Sequence, residues 1–366
     1  MWMQICPLPL HTVANQDVVY AASLKHRDIA VLVNEPPPAI KDLSPRGMIP
    51  GSDGAGEVII TGAGVTKFKK QDAVLPLVYT SWIRGPLGPG SANDQLGGPL
   101  DGVFRQYGVF HEDGLVRMPS NLSFLEACTL PSTALAAWNA LHGLQGREVR
   151  QGDWVLTEGT GSVGHFAIQF ARAAGAKVIA TTSSPEKVAF LRALGVDLVI
   201  DSSEDTDWGR TAKEHAWNIG VQHVINVGGE ETLKHAIDAI GPDGLISIIG
   251  DLGADQRENP DRFIYDFGLI CIIRRLVTGN RDQMEDMVRA VQLHDIRPML
   301  DEKIFKLEEL KEAYRVSFAP CMIEIGVLTT SNSTWEPVRT AQKYASRLTN
   351  QNGLWVALAK SASYKT

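Results

Sequence analysis

The sequence predicts a doubly wound parallel α/β sheet joined to a smaller, irregular β domain. Short β-branched runs alternate with helical patterns between Gly152 and about His294, at the rhythm of repeated βα units. A glycine-rich turn separates the first of these runs from a strongly amphipathic helical stripe. Residues 1–125 differ, with glycine and proline punctuation, short alternating runs and few long helical stripes.

The β-branched runs are Trp154–Thr157, Lys177–Thr181, Leu198–Asp201, His223–Val227, Leu245–Ile249 and Leu269–Val277. After the first run, Val163, Phe166, Ala167, Phe170, Ala171 and Ala174 stand at the spacing one helix face buries against a sheet, and Gly175 is placed to end that helix. Met284, Met287, Val288 and Val291 repeat the spacing after Arg281 and predict another helix returning the chain to the sheet. Strands separated by helices in this way imply parallel pairing with right-handed crossovers. Earlier in the chain, Gly54–Thr61 and Ala73–Val78 read as strands of a small distorted barrel. Gly85–Gly102, rich in glycine with three prolines, reads as a long surface loop. After Thr330 the chain turns polar, and residues 331–366 read as a tail.

Composition narrows the function. At about 150 residues per domain, 366 residues make two to three domains. Lys and Arg number 35 against 42 Asp and Glu, a net charge of −7, so no global positive field favours nucleic acid or anionic lipid. Met1–Leu10 is apolar but short, broken by Pro7 and Pro9 and without basic residues, so neither a signal peptide nor a membrane span is expected. Cys6, Cys128, Cys271 and Cys321 form no C-x-x-C pair, which points to reduced, buried thiols in a cytoplasmic chain.

The glycine turn reads Gly159-Thr160-Gly161-Ser162-Val163-Gly164, preceded by a strand and followed by a helix, the context in which G-x-G-x-x-G binds a dinucleotide. Gly159 permits the tight turn, Gly161 lets backbone approach a pyrophosphate, and Gly164 lets helix and strand pack closely. The helix N-terminus then faces the phosphates. About twenty residues on, where an acid would hold the ribose of NAD, stands Thr181-Thr182-Ser183-Ser184-Pro185-Glu186-Lys187. Without the acid a 2′-phosphate meets no like charge there, and Ser183, Ser184 and Lys187 are suited to hold it, favouring NADP(H) over NAD(H). Ser184, Pro185 and Glu186 equally fit the start of the next helix as Ncap, N1 and N2. Val227, Gly228, Gly250 and Gly253, at the ends of the fourth and fifth runs, are expected to border ribose and nicotinamide.

Further segments stand in order: Ala22-Ser23-Leu24-Lys25-His26-Arg27-Asp28, Pro50 to Val58 with Ser52-Asp53 inside it, Gly62-Ala63-Gly64-Val65, Asp72, Thr129-Leu130-Pro131, Ala137 to Leu141, and Ala193-Leu194-Gly195-Val196-Asp197. Together with the glycine turn they resemble the medium-chain dehydrogenase/reductase superfamily, in its zinc-free quinone-oxidoreductase-like and alcohol-dehydrogenase-like branch. The resemblance implies a GroES-like catalytic domain at 1–125, completed by about 296–330, a Rossmann dinucleotide-binding domain at 126–295, and an atypical tail at 331–366. It also implies a small-molecule substrate, a nicotinamide held in the interdomain cleft, and a homodimer.

Zinc-dependent members of this superfamily surround the metal with thiolates and a His-Glu pair. Here Lys25 stands in the first-ligand region, Ser52-Asp53 replaces His-Glu, and Ser132 stands near the last ligand, so no zinc is expected. Without a metal, a developing oxyanion needs hydroxyl or ammonium partners, and the candidates are Lys25, Ser52, Tyr79 and Thr133, with His26 and Ser132 nearby. Lys25 and His26 also read as solvated surface groups, and the Tyr79 ring as packing. Related enzymes carry Asn at the place of Lys25 and a nicotinamide-contacting Thr at the place of Ala136. The sequence therefore predicts an NADP(H)-dependent oxidoreductase acting on a small carbonyl, enone, quinone or alcohol, with a tailoring step in specialised metabolism one setting for it. The alternatives are a non-catalytic dinucleotide-binding protein of this fold and a damaged, inactive chain.

Overall fold

The computed structural model describes residues 14–25, 27–28, 48–249, 270–317 and 325–329. The readings made of Met1–Leu10, Cys6, His26, Gly250, Gly253, Cys321 and the tail 331–366 lie outside them. The chain divides into two compact units, the first taking the described residues within Met1–Ser132, Asn280–Ala319 and Ile325–Gln351, the second those within Thr133–Gly279.

The first unit is built on a seven-stranded sheet. Its strands are β1 (Ala14–Ser23), β2 (Asp53–Thr61), β3 (Ala73–Pro76), β4 (Tyr107–His111) and β5 (Leu115–Arg117). Strand β1 pairs antiparallel with both β2 and β4, so the stretch before Ala21 is a working part of the sheet. Glycine at position 51 is obligatory just before β2: its φ is +95°, and a Cβ there would lie 2.4 Å from the Phe104 ring. Val58, Val74, Phe104, Leu115 and Phe305 sit in the core, each side chain contributing about 1.5–3 kcal/mol by leaving water. The stretch Gly85–Gly102 is only half the surface loop that its composition predicts. Leu96 is buried, and its N–H donates to the carbonyl of Val78, folding the second half of the stretch back onto the unit.

The second unit carries a six-stranded sheet whose strands are β6 (Trp154–Thr157), β7 (Lys177–Thr182), β8 (Leu198–Asp201), β9 (Val221–Asn226), β10 (Ile240–Ile248) and β11 (Cys271–Arg275). Their order is β11-β10-β9-β6-β7-β8, and every pairing is parallel. This is the expected doubly wound sheet, with all six runs in place and their ends moved by a few residues. The helix Ser162–Ala173 buries Phe166, Ala167, Phe170 and Ala171 as its stripe predicts, and Gly175 closes it at φ +78°.

The helix Arg281–Leu293 corrects one expectation. It forms with the predicted face buried, through Met284, Met287, Val288 and Val291, but it belongs to the first unit rather than to the parallel sheet. Four hydrogen bonds hold it there. Its first N–H groups donate to the carbonyls of Trp82 and Ile83, and the Arg281 guanidinium donates to the carbonyls of Glu112 and Asp113 at 3.0 and 2.8 Å. The division therefore falls at Ser132/Thr133 and Gly279/Asn280, where the sequence places it at 125/126 and 295/296. Beyond that helix, β12 (Leu300–Lys306) and β13 (Ile325–Thr329) complete the first sheet, β13 lying between β12 and β1. The alternation around Ile325 and Val327 predicts such a strand.

Candidate active site

Two groups of candidate residues emerge, one in each unit. In the second unit β6 ends at Thr157 and the glycine turn follows. Gly159 has φ +71°, and its N–H donates to the Thr181 hydroxyl at 3.3 Å. A Cβ on Gly164 would come within 2.6 Å of the Gly159 carbonyl oxygen, so the close approach of helix and turn requires glycine there. At Gly161 a Cβ would meet nothing within 4 Å, so the turn is open at that point. Gly161 is also the N-cap of the helix Ser162–Ala173 and makes no side-chain capping bond, so the helix start offers uncapped N–H groups. Thr160 is buried, whereas Ser162 and Val163 are half-buried at the start of the helix.

At the end of β7 Thr181 and Thr182 are buried and Ser183 is exposed. The next helix, Glu186–Ala193, starts after Pro185 without a side-chain cap, so Ser184 does not cap it as the sequence predicts. The Ser184 hydroxyl instead donates to the Glu186 carboxylate, and that bond holds the Glu186 carboxyl below its ordinary range. Lys187 is half-buried in the first turn of the same helix.

Past β9, the N–H groups of Val227 and Gly228 both donate to Oε2 of Glu158 at 3.1 Å. Glu158 itself is buried directly after β6. Sequence reasoning missed this residue, because its partners lie about seventy positions away, beyond any local pattern.

The first unit gathers a polar cluster around Asp53. The antiparallel pairing of β1 and β2 sets Ser23 opposite Asp53, and the chain leaving β1 brings Lys25 alongside. The Lys25 ammonium lies 3.1 Å from Asp53 Oδ2, with only 8% of its side chain exposed and none of Asp53. Ser132 Oγ donates to the same oxygen at 2.6 Å, and Ser52 Oγ donates to Oδ1 at 3.2 Å. Lys25 is thus a buried, paired charge and not a solvated one. The backbone N–H of Lys25 donates to Asp28 at 2.8 Å. Burial raises the Asp28 carboxyl to about 7, against the pull of Arg27 beside it. Desolvation likewise pushes the thiol of fully buried Cys128 up.

Of the four predicted catalytic residues, Lys25 and Ser52 enter this cluster. Tyr79 is buried, its ring edge-on to Trp82 with centroids 6.0 Å apart, and burial raises its hydroxyl above the ordinary range. Thr133 is half-buried and falls in the second unit; its neighbour Ser132 supplies the hydroxyl on Asp53. The cluster matches zinc poorly. Two hydroxyls and one carboxylate already engaged by an ammonium stand where zinc would take thiolate, imidazole or a free carboxylate. Asp207, His235 and Asp238 make a further group of potential ligands in the second unit, but Arg210 pairs with Asp207 at 3.2 Å and Lys234 with Asp238 at 2.8 Å.

With the sheets, the glycine turn and the cluster in hand, comparison with known proteins agrees with the fold. Residues 18–120 match the family described as alcohol dehydrogenase GroES-like domain, and residues 162–292 match that described as zinc-binding dehydrogenase. The chain belongs to the medium-chain dehydrogenase/reductase superfamily and is an oxidoreductase of its alcohol dehydrogenase, quinone oxidoreductase and enoyl reductase lineage, for which a nicotinamide dinucleotide is the expected cofactor. It is 37% identical over 306 residues to a zinc-type alcohol dehydrogenase-like protein of Schizosaccharomyces pombe, covering 83% of this chain and 87% of that one. A quinone oxidoreductase of Pseudomonas aeruginosa is 31% identical over 202 residues, 55% of each chain. Among solved structures, an alcohol dehydrogenase from Sinorhizobium meliloti 1021 superposes with a TM-score of 0.78 at 32% identity, covering 87% of this chain and 91% of that one. Among the described residues, no helix is long and apolar enough to cross a membrane.

Proposed function

We propose that this protein is an NADP(H)-dependent, zinc-free oxidoreductase that moves a hydride to or from a small carbonyl, enone, quinone or alcohol. The observation that carries the reading is the buried contact of Lys25 with Asp53, backed by the Ser132 hydroxyl. The bound dinucleotide would supply or accept the hydride. Gly159, Thr160, Gly161, Ser162, Val163 and Gly164 would hold its pyrophosphate through main-chain N–H groups, and Gly161, without a Cβ, would leave the approach open. Val227 and Gly228 would border its ribose and nicotinamide.

Lys25 has the role of electrophile. Its ammonium supports negative charge developing on a substrate oxygen, and Asp53 fixes its direction. Ser132 and Ser52 in turn fix Asp53, so the cluster is already organised before substrate arrives. Preference for NADP(H) rests on the lack of an acid at the end of β7. Ser183 and Lys187 are the partners left for a 2′-phosphate, since the Ser184 hydroxyl is committed to Glu186. A cytoplasmic homodimer belongs to the same proposal, supported by the outer strand β11, beside which Ile270 is 62% exposed.

The test is thermal stability of the purified protein with NADPH, NADH or zinc, followed by a carbonyl and enone panel read by NADPH absorbance. A ligand at a hundred times its Kd adds about 2.7 kcal/mol to the folded state. Stabilisation by NADPH above NADH, turnover insensitive to a chelator, and loss of turnover in Lys25→Met are the expected results. Stabilisation by zinc, with turnover abolished on chelation, would overturn the zinc-free assignment.

A further inference from the structure

The strand order of the second unit has one switch point. From β6 the chain proceeds outward to β7 and β8 on one side, then returns to lay β9, β10 and β11 on the other. In such sheets the ligand crevice opens beyond the carboxyl ends of the two central strands, here β6 and β9. Glu158 is the first residue after β6, and Val227 the first after β9.

The Glu158 carboxylate bridges these two ends. Oε1 accepts the amide of Asn226 at 2.9 Å. Oε2 accepts the N–H groups of Val227 and Gly228, each at 3.1 Å, and the Thr232 hydroxyl at 2.7 Å. Every partner presents a donor, so the site calls for acceptors on both oxygens, as a carboxyl group supplies them, while burial pushes that carboxyl above its ordinary range. Asn226 cannot turn its amide to suit another residue, because its Oδ1 already accepts the Gly229 N–H at 3.1 Å. The loop held in this way is Val227-Gly228-Gly229, with Gly229 at φ +71°, a segment whose backbone has little stiffness of its own. Burial raises the Glu158 carboxyl, and four hydrogen bonds pull against that, two from the loop itself and one each from Asn226 before it and Thr232 after it.

We propose that Glu158 is a positioning residue that sets the Val227–Gly229 loop as the resting surface for the nicotinamide half of the dinucleotide, leaving the adenosine half untouched. The inference rests on the dinucleotide reading of the glycine turn. The pyrophosphate is assigned to Gly159–Gly164 and the adenosine to the end of β7, whereas the donors to the Glu158 carboxylate are Asn226, Val227, Gly228 and Thr232. A defect in the loop therefore acts on one half of the ligand.

Paired titrations of the full chain test it, using NADPH and NADH against truncated forms that lack both nicotinamide and its ribose, 2′-phospho-ADP and ADP. In Glu158→Gln, dinucleotide affinity is expected to fall about tenfold, while the truncated ligands change by less than about twofold. Thr232→Val removes one of the four bonds and is expected to produce the same split at smaller size, which keeps the test open should Glu158→Gln fold poorly. An equal loss for whole and truncated ligands, or no loss for either, would overturn the proposal and leave Glu158 as a support of the fold. If the unsubstituted protein binds neither ligand, the dinucleotide reading itself fails, an outcome distinct from loss of the split.

Discussion

The glycine turn and the Asp53 cluster are assembled by opposite means. Between Gly159 and Gly164 the shape comes from main chain and from missing side chains: a positive φ, a carbonyl 2.6 Å from where a Cβ would stand, an N-cap without a capping group. Around Asp53 the shape comes from three side chains drawn from positions 25, 52 and 132. The first arrangement tolerates changes in its neighbours' chemistry as long as no atom is added. The second tolerates changes in bulk far better than the loss of one charge, because a buried ion left alone has no water to turn to.

That contrast orders the tests. The largest effect is expected for Lys25→Met, which strands the fully buried Asp53 carboxylate. Breaking a buried pair costs about 3–5 kcal/mol, read as a lowered unfolding midpoint, with dinucleotide affinity unchanged; an unaltered midpoint would mean that the pair contributes nothing. Next, Gly161→Val is expected to weaken dinucleotide binding by at least about a hundredfold, or about 2.7 kcal/mol, while the unfolding midpoint without ligand moves little. Should affinity survive, the pyrophosphate is not held by this turn.

Two buried titrating groups sharpen the comparison with opposite signs. Asp28 has its carboxyl raised from 3.8 to about 7, so between those values the folded state binds more protons than the unfolded one. Its contribution to stability is greatest in acid and is lost as pH climbs to about 7. His223, in the second unit, has its imidazole lowered from 6.5 to about 4 by burial, so there the unfolded state binds more protons. Its contribution grows as pH rises across that interval and is lost as pH falls. Asp28→Asn should therefore gain on the unsubstituted protein most at neutral pH, and His223→Gln should flatten the acid side of the stability curve. Parallel curves for all three proteins would show that neither group is shifted. The smallest effect is reserved for Ser184→Ala. With that hydroxyl already given to Glu186, NADPH affinity should change by less than about threefold.

How much of this was legible in the sequence follows the same division. Strand, glycine turn and helix are written within some twenty consecutive residues, and local spacing is what a sequence displays. All six runs from Trp154 onward became strands for that reason. Lys25, by contrast, stands beside His26, Arg27 and Asp28 and looks like part of a wet, charged stretch. Only the register of β1 on β2 reveals that it is folded inward onto Asp53. Ser132 and Thr133 differ by one position, and no local pattern tells which of them turns toward Asp53. The helix Arg281–Leu293 was legible as a helix but not as a member of the first unit, since its anchors are the carbonyls of Trp82, Ile83, Glu112 and Asp113. Glu158 was hidden for a related reason: a carboxylate next to a glycine turn signals nothing until the strand arriving seventy residues later is laid beside it.

The place of β13 in the first sheet bears on how the chain comes off the ribosome. Strand β1 meets β2 and β4 early in synthesis, but the flank that β13 covers waits until about residue 329 has emerged. Among the described residues the second unit lies within Thr133–Gly279, so the six strands described for its sheet are available well before that. During the interval the Ala21–Ser23 end of β1 lacks its partner on that side, and unpaired strand edges recruit foreign strands. Nascent chains released short of β13 should accordingly be the ones that chaperones hold and that aggregate, even though their parallel sheet is already complete.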